Sequence, residues 1–139
     1  LVEQYGINYV QLHGDEDASF AAALKAKRIA VIKAFRIDQN YDFKNTESFL
    51  SSCEYFLFDS KSGSYGGSGE KFDWQVLSRF TLGKPFFLSG GITPDDANSI
   101  AAFPHPSLLG IDINSGFETS PGVKDVFKVN EFIKVLKRK

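Results

Sequence analysis

Apolar residues follow two alternating rhythms along this chain. Short, mostly apolar runs occur at 8–12 (NYVQL), 29–35 (IAVIKAF), 55–58 (YFLF), 85–88 (PFFL) and 108–113 (LLGIDI). Between them, apolar residues fall three and four apart. The first rhythm is that of a strand and the second that of a helix with one buried stripe. Leu1 to Gly6 reads as a helix end with the glycine as its cap. Asp15, Glu16 and Asp17 open a helix reaching about Lys27, with Phe20, Ala23, Leu24 and Lys27 on one face. A weaker helix is predicted over 43–51. Asp73 caps another, in which Trp74, Leu77 and Phe80 face inward. Thr93 caps the next, with Pro94 at its first position, acids Asp95 and Asp96 in its first turn, and Ala97, Ile100 and Ala101 as its buried stripe. The last helix, 125–137, presents Val129, Phe132, Ile133 and Leu136.

Strand and helix thus alternate five times, and no hairpin signal interrupts them. That pattern predicts an α/β fold with a parallel sheet covered by helices. A doubly wound sheet and a barrel both fit. The polar and glycine residues stand after the strands at repeat after repeat, which in either architecture is the ligand-binding edge. No G-x-G-x-x-G opens a helix and no G-x-x-x-x-G-K-[ST] is present, which counts against a nucleotide fold. An eight-stranded (β/α)8 barrel takes about 250 residues. Five units in 139 residues would be the larger part of one, lacking three.

Composition narrows the classes further. The length is that of one domain, and 42% hydrophobic with 24% charged residues describes a globular protein able to bury a core. With 16 basic against 17 acidic side chains, nothing in the charge points to nucleic acid or an anionic membrane. No apolar run approaches a membrane span. A single cysteine excludes an internal disulfide and fits a reducing cytoplasm. The sequence contains no methionine and opens within a helix end, which predicts a piece of a longer protein.

The candidate chemistry centres on 55–74, YFLFDSKSGSYGGSGEKFDW: a strand, Asp59 at its end, then Gly63, Gly66, Gly67 and Gly69. Small residues there let a loop approach or cover a ligand. Asp59 is either a catalytic carboxyl or an acid capping the next turn. Ser89-Gly90-Gly91 and Asn114-Ser115-Gly116 follow the last two strands. Unpaired backbone N–H groups in such loops hold phosphate in (β/α)8 enzymes, so Ser89, Gly90, Gly91, Ser115 and Gly116 are the candidate phosphate ligands. His13 ends the first strand as a base, a ligand or a wall residue. Lys33 could form a Schiff base, although nothing near it in sequence supports that. Asp112 alternates with Ile111 and Ile113 and so points into the interior, where it needs a hydrogen-bond partner. No metal is expected, since His105 and Cys53 lie towards the opposite edge.

Four motifs, VQLHGDE (10–16), FDS with YGGSG and FDW (58–74), PFFLSGGITPDDA (85–97) and IDINSGFETSPGVKD (111–125), resemble phosphoribosylanthranilate isomerase, a (β/α)8 barrel of tryptophan biosynthesis. The resemblance covers the chain in order and implies strands 4 to 8 of the barrel, as one partial domain over 1–139. It implies a cofactor-free Amadori rearrangement of N-(5-phosphoribosyl)anthranilate. Asp59 would be the general acid, the Gly66, Gly67 and Gly69 loop would cover the sugar, and the two later loops would hold the phosphate. His13 and Asp112 would support. The family's base, a cysteine in a K-I-C-G motif on strand 1, and the residue contacting the anthranilate carboxylate are both expected outside this stretch. Cys53 does not match that base, and the chain alone is expected to be inactive. An open sheet further predicts self-association or pairing with the missing N-terminal part. Two other readings are an indole-glycerol-phosphate synthase, poorly matched by Lys33 alone, and a non-catalytic half-barrel that binds phosphorylated ligands.

Overall fold

The computed structural model describes residues 2–60 and 73–137. Five parallel strands, β1 (Tyr9–Leu12), β2 (Ala30–Ile37), β3 (Tyr55–Ser60), β4 (Phe86–Ser89) and β5 (Leu108–Ile111), form one sheet in the order β1-β2-β3-β4-β5. This order decides between the two architectures. A doubly wound sheet reverses direction at a switch point, whereas here every crossover steps the same way. Right-handed crossovers then put all connecting segments on one face and leave the other as a barrel interior. Among the described residues β5 and β1 do not pair, so the sheet is open.

Side-chain alternation follows that division. Val31, Lys33, Phe35 and Ile37 of β2, Phe56 and Phe58 of β3, and Phe86 and Leu88 of β4 are all buried. Their rings meet those of the connecting segments: Phe35 packs on Phe49 at 5.5 Å, and Phe58 on Phe43 at 5.5 Å and on Phe80 at 5.0 Å. The core is therefore an aromatic layer between the sheet and its crossovers. On the opposite face the register sets Ala34, Leu57, Phe87 and Gly110 side by side, with Arg36, Asp59 and Ser89 in the next layer.

The helices are α1 (Val2–Tyr5), α2 (Ala18–Ala26), α3 (Ala97–Ala101) and α4 (Val126–Leu136). Asp17 caps α2 by accepting from the Phe20 N–H, and Asp125 caps α4 by accepting from Phe127 and Lys128. Two predicted helices are 3-10 turns, Phe43–Phe49 and Trp74–Arg79, each started by an aspartate, Asp42 or Asp73, that accepts from the second N–H beyond it. The tighter turn still buries Val76, Leu77 and Phe80. At Pro94 a 3-10 turn, Pro94–Asp96, leads into α3.

Three sequence expectations are corrected. Phe20 is half exposed, and Ala21 is the side chain of α2 that is fully buried. Ile133 is also exposed, and Phe132 anchors α4 against Phe117 with ring centroids 4.9 Å apart. Finally, 118–124 contains an antiparallel hairpin, β6 (Glu118–Ser120) with β7 (Val123–Lys124), turning at Pro121-Gly122.

Candidate active site at the C-terminal ends of the strands

Asp59 is the last described side chain of β3. It pairs in register with Arg36 on β2 and with Ser89 on β4, so all three leave the same face of the sheet at the same height. Parallel strands lie about 4.8 Å apart, which makes these side chains direct neighbours. The next strand continues the row: the Asp112 N–H donates to the Leu88 carbonyl at 2.8 Å, and the Ser89 hydroxyl donates to Asp112 Oδ2 at 3.4 Å. Asp112 thus faces the interior with a polar partner, as the alternation of its strand predicts. His13 lies two residues beyond Gln11, whose register partner Ile32 is on the interior face, and it is near enough to act on Asp59 electrostatically.

Partial burial raises the Asp59 pKa above the ordinary carboxylate value, and the charge of Asp112 adds to the rise. Arg36 and His13 pull in the other direction. The upward pull prevails because removing a carboxylate from water disfavours its charged form. The site therefore holds one carboxyl biased towards keeping its proton, beside a second carboxylate and a guanidinium. Arg36 was not among the residues singled out from sequence. The signal was available, since Ile32, Ala34 and Arg36 continue one alternation past the end of the apolar run.

The two loops after β4 and β5 are built on backbone. Gly90 and Gly91 have φ values of 95° and 59°, a consecutive left-handed pair that side chains rarely adopt. Beyond them Ile92 is buried, and the Thr93 N–H and hydroxyl both donate to the buried Asp96 carboxylate at 2.8 Å. The second loop is pinned from below by Phe117, which is fully buried. Lys124 ties it from the side, donating to Asn114 Oδ1 at 2.7 Å and to Glu118 Oε1 at 2.5 Å. Gly116 sits so close to Ile92 that a Cβ there would come within 2.4 Å of the Ile92 carbonyl oxygen. Ser89, Gly90, Gly91, Ser115 and Gly116 are thereby gathered at one corner of the sheet, one strand from Asp59.

Other candidates fall elsewhere. Gly63, Gly66, Gly67 and Gly69 lie outside the described residues. Lys33 is buried on the crossover face, donating to the Gly14 carbonyl at 2.7 Å and to Glu16 Oε2 at 3.0 Å, so it braces the turn after His13 and is not presented to a substrate. His105 is a wall residue: Nδ1 accepts from the Ser107 N–H at 3.1 Å, leaving Nε2 to donate to the Phe80 carbonyl at 3.1 Å. Cys53 precedes β3 at the opposite end of the sheet, and burial pushes its thiol pKa up. Among the described residues no cluster of three or more His, Cys, Asp or Glu side chains could hold a metal. A groove of about 520 Å³ along the outer edge of β5, lined by Ile100, Phe103, Leu108, Leu109 and Leu136, is apolar and removed from the carboxylates.

In sequence and fold the chain is similar to proteins of one family. The family model described as N-(5'phosphoribosyl)anthranilate (PRA) isomerase matches residues 1–135. The N-(5'-phosphoribosyl)anthranilate isomerase of Parabacteroides distasonis is 45% identical over 129 residues, an alignment covering 93% of this chain and 58% of that relative. Its counterpart from Phocaeicola vulgatus is 42% identical over 137 residues, covering 99% of this chain and 67% of the relative. The crystal structure of phosphoribosyl anthranilate isomerase from Thermotoga maritima superposes with a TM-score of 0.76 at 34% identity, over 98% of this chain and 64% of that one. A phosphoribosyl anthranilate isomerase in complex with reduced 1-(o-carboxyphenylamino)-1-deoxyribulose 5-phosphate gives a TM-score of 0.75 at 28% identity, over 98% and 62% of the two chains. The chain therefore spans less than two thirds of the length of most of these relatives.

Proposed function

Because the chain belongs to the N-(5'-phosphoribosyl)anthranilate isomerase family, we propose that it supplies the acid and the phosphate site for the Amadori rearrangement of N-(5-phosphoribosyl)anthranilate. The observation that carries this reading is the adjacency of Asp59 to the paired loops, through the Asp59–Ser89 register and the Ser89–Asp112 hydrogen bond. A sugar phosphate anchored by the backbone of Gly90, Gly91, Ser115 and Gly116 places its ring over the end of β3. Asp59 then protonates the ring oxygen and the ring opens to a Schiff base. A base removes the C2 proton, and the resulting enolamine becomes the ketone. An acid with a raised pKa suits the first step, since it must still hold its proton near neutral pH. His13 and Asp112 flank the reacting ring. No cofactor is needed, because the rearrangement moves protons only.

The second step calls for a base that Cys53 does not supply. Strands rise about 3.3 Å per residue, so the length of β3 separates the buried Cys53 from Asp59. We assign the base, and the surface that closes the sheet beyond β1 and β5, to a part of the protein that this chain lacks or to an associated copy. Leu109 on the edge strand β5 and Tyr9 on β1 are both half exposed, which supports such an addition. The relatives are biosynthetic isomerases, and on that ground we place this role in the cytoplasm.

Calorimetric titration of the full chain with the reduced carboxyphenylamino-deoxyribulose phosphate tests the reading. Binding that inorganic phosphate competes away, and that Gly116→Ala weakens at least about tenfold, is the expected result. Absence of binding would leave only a structural role for these residues.

A further inference from the structure

Aspartates open two of the 3-10 turns in one way, and the turn in the second phosphate loop departs from it. The turns Phe43–Phe49 and Trp74–Arg79 follow Asp42 and Asp73, whose carboxylates accept from the second N–H of the turn, those of Lys44 and Gln75. Asp125 accepts from the second N–H of α4, that of Phe127, in the same manner. The turn Ser115–Phe117 follows Asn114, a residue type suited to the same task, yet its side chain makes no such bond. Lys124 supplies the reason. Its ammonium donates to Asn114 Oδ1 at 2.7 Å and so occupies the atom that would otherwise accept. An ammonium has only hydrogens to offer, so the amide turns its oxygen, not its nitrogen, towards Lys124.

The second N–H of this turn belongs to Gly116, one of the proposed phosphate ligands. Neither it nor the Ser115 N–H finds an acceptor among the described residues. Lys124 is itself held in place. It stands opposite Glu118 across the β6–β7 hairpin and donates to the Glu118 carboxylate, while the following N–H, that of Asp125, donates to the Phe117 carbonyl at 2.7 Å.

We propose that Lys124 is a positioning residue of the phosphate site: by holding Asn114 Oδ1 it keeps Asn114 from capping its own turn and leaves the Gly116 N–H open to the phosphate. This rests on the phosphate reading given above. A side-chain cap and a phosphate oxygen compete for the same donor, so a loop that capped itself would bind phosphate less well by what a cap is worth, about fivefold.

The test is amide NMR of the full chain, free and titrated with inorganic phosphate. Lys124 and Asn114 are both exposed, so replacing them leaves the core untouched. Lys124→Met is expected to move the Gly116 amide of the free chain to a hydrogen-bonded position, slow its exchange with solvent, and weaken phosphate about fivefold. Adding Asn114→Ala to Lys124→Met removes the competing oxygen, and should reverse the Gly116 shift and regain affinity. Loss of a charge that merely attracts phosphate, or of a brace that merely stiffens the loop, would not be recovered by deleting a second side chain. A free-chain Gly116 signal unmoved by Lys124→Met, or a double variant that binds no better than Lys124→Met, overturns the proposal; phosphate shifts at Ser115 and Gly116 in the wild type would then leave the phosphate reading standing. Absence of those shifts in the wild type overturns the phosphate reading, and the role given to Lys124 with it.

Discussion

Gly116 rests against Ile92 with no room for a side chain: a Cβ would stand 2.4 Å from the Ile92 carbonyl oxygen. The obstacle is backbone, so it cannot rotate away as a flexible side chain would. The loop after β5 and the loop after β4 are locked together at this contact, and the two halves of the proposed phosphate site are fixed relative to each other by it.

Gly116→Ala should therefore separate the loops, lowering stability by about 1–3 kcal/mol as well as reducing phosphate affinity. Gly122→Ala is the comparison. Gly122 has a positive φ of 80° but nothing within 4 Å of a Cβ, so the change should cost only about 1 kcal/mol and leave phosphate affinity nearly intact. Chemical denaturation and phosphate titration of the two variants check this, and equal affinity losses would count against the loop contact as the reason.

Asp59→Asn should stabilise the fold at neutral pH. The folded-state pKa of Asp59 is raised by burial and by Asp112, so the folded state binds its proton more tightly than the unfolded chain does. Stability from this group is then fully present below the unfolded value of 3.8 and is lost as pH rises through the folded pKa. The melting temperature of Asp59→Asn should exceed that of the wild type at pH 7 to 8, with the gain vanishing below about pH 3.8.

Lys33→Met should loosen the turn that carries His13. Lys33 holds both the Gly14 carbonyl and the Glu16 carboxylate, and its hydrogen bond is the largest influence keeping the Glu16 pKa low. Without it, Glu16 should titrate closer to its ordinary value, and amide exchange at Gly14 should quicken. A Glu16 titration identical to that of the wild type would show that the ion pair does not hold in solution.

Much of the fold was legible because its signals are local. Asp17, Asp125 and the Thr93-Pro94 pair start helical segments through their own hydrogen bonds or fixed φ, and these starts appear where the residues place them. Asp59 and the SGG and NSG loops were legible because each follows an apolar strand. Facing was harder to read. Phe20 and Ile133 fit a helical stripe as well as Ala21 and Phe132 do, and only packing against the sheet chooses between them. Lys33 read as a strand-end residue because β2 runs two residues beyond the apolar stretch, to Ile37, which also hid Arg36. The hairpin at 118–124 is short and exposed, and its one sign was Pro121-Gly122. Strand order, which favours the barrel over the doubly wound sheet, is a long-range property that no local pattern carries.

The chain by itself should not turn over N-(5-phosphoribosyl)anthranilate at the rate of a full-length isomerase. Loss of a general base removes about 10²–10⁴ in rate, and Cys53 is buried at the wrong end of β3 to replace it. A steady-state assay at matched concentrations checks this, with turnover comparable to a full-length relative as the opposing result.

The central claim is that the loops after β4 and β5 form one phosphate site beside Asp59. Backbone amide NMR during titration with inorganic phosphate tests it most directly. The account predicts that the amides of Gly90, Gly91, Ser115 and Gly116 shift together along a single saturation curve. Shifts confined to lysine-rich surface segments, with those four amides unmoved, would contradict it.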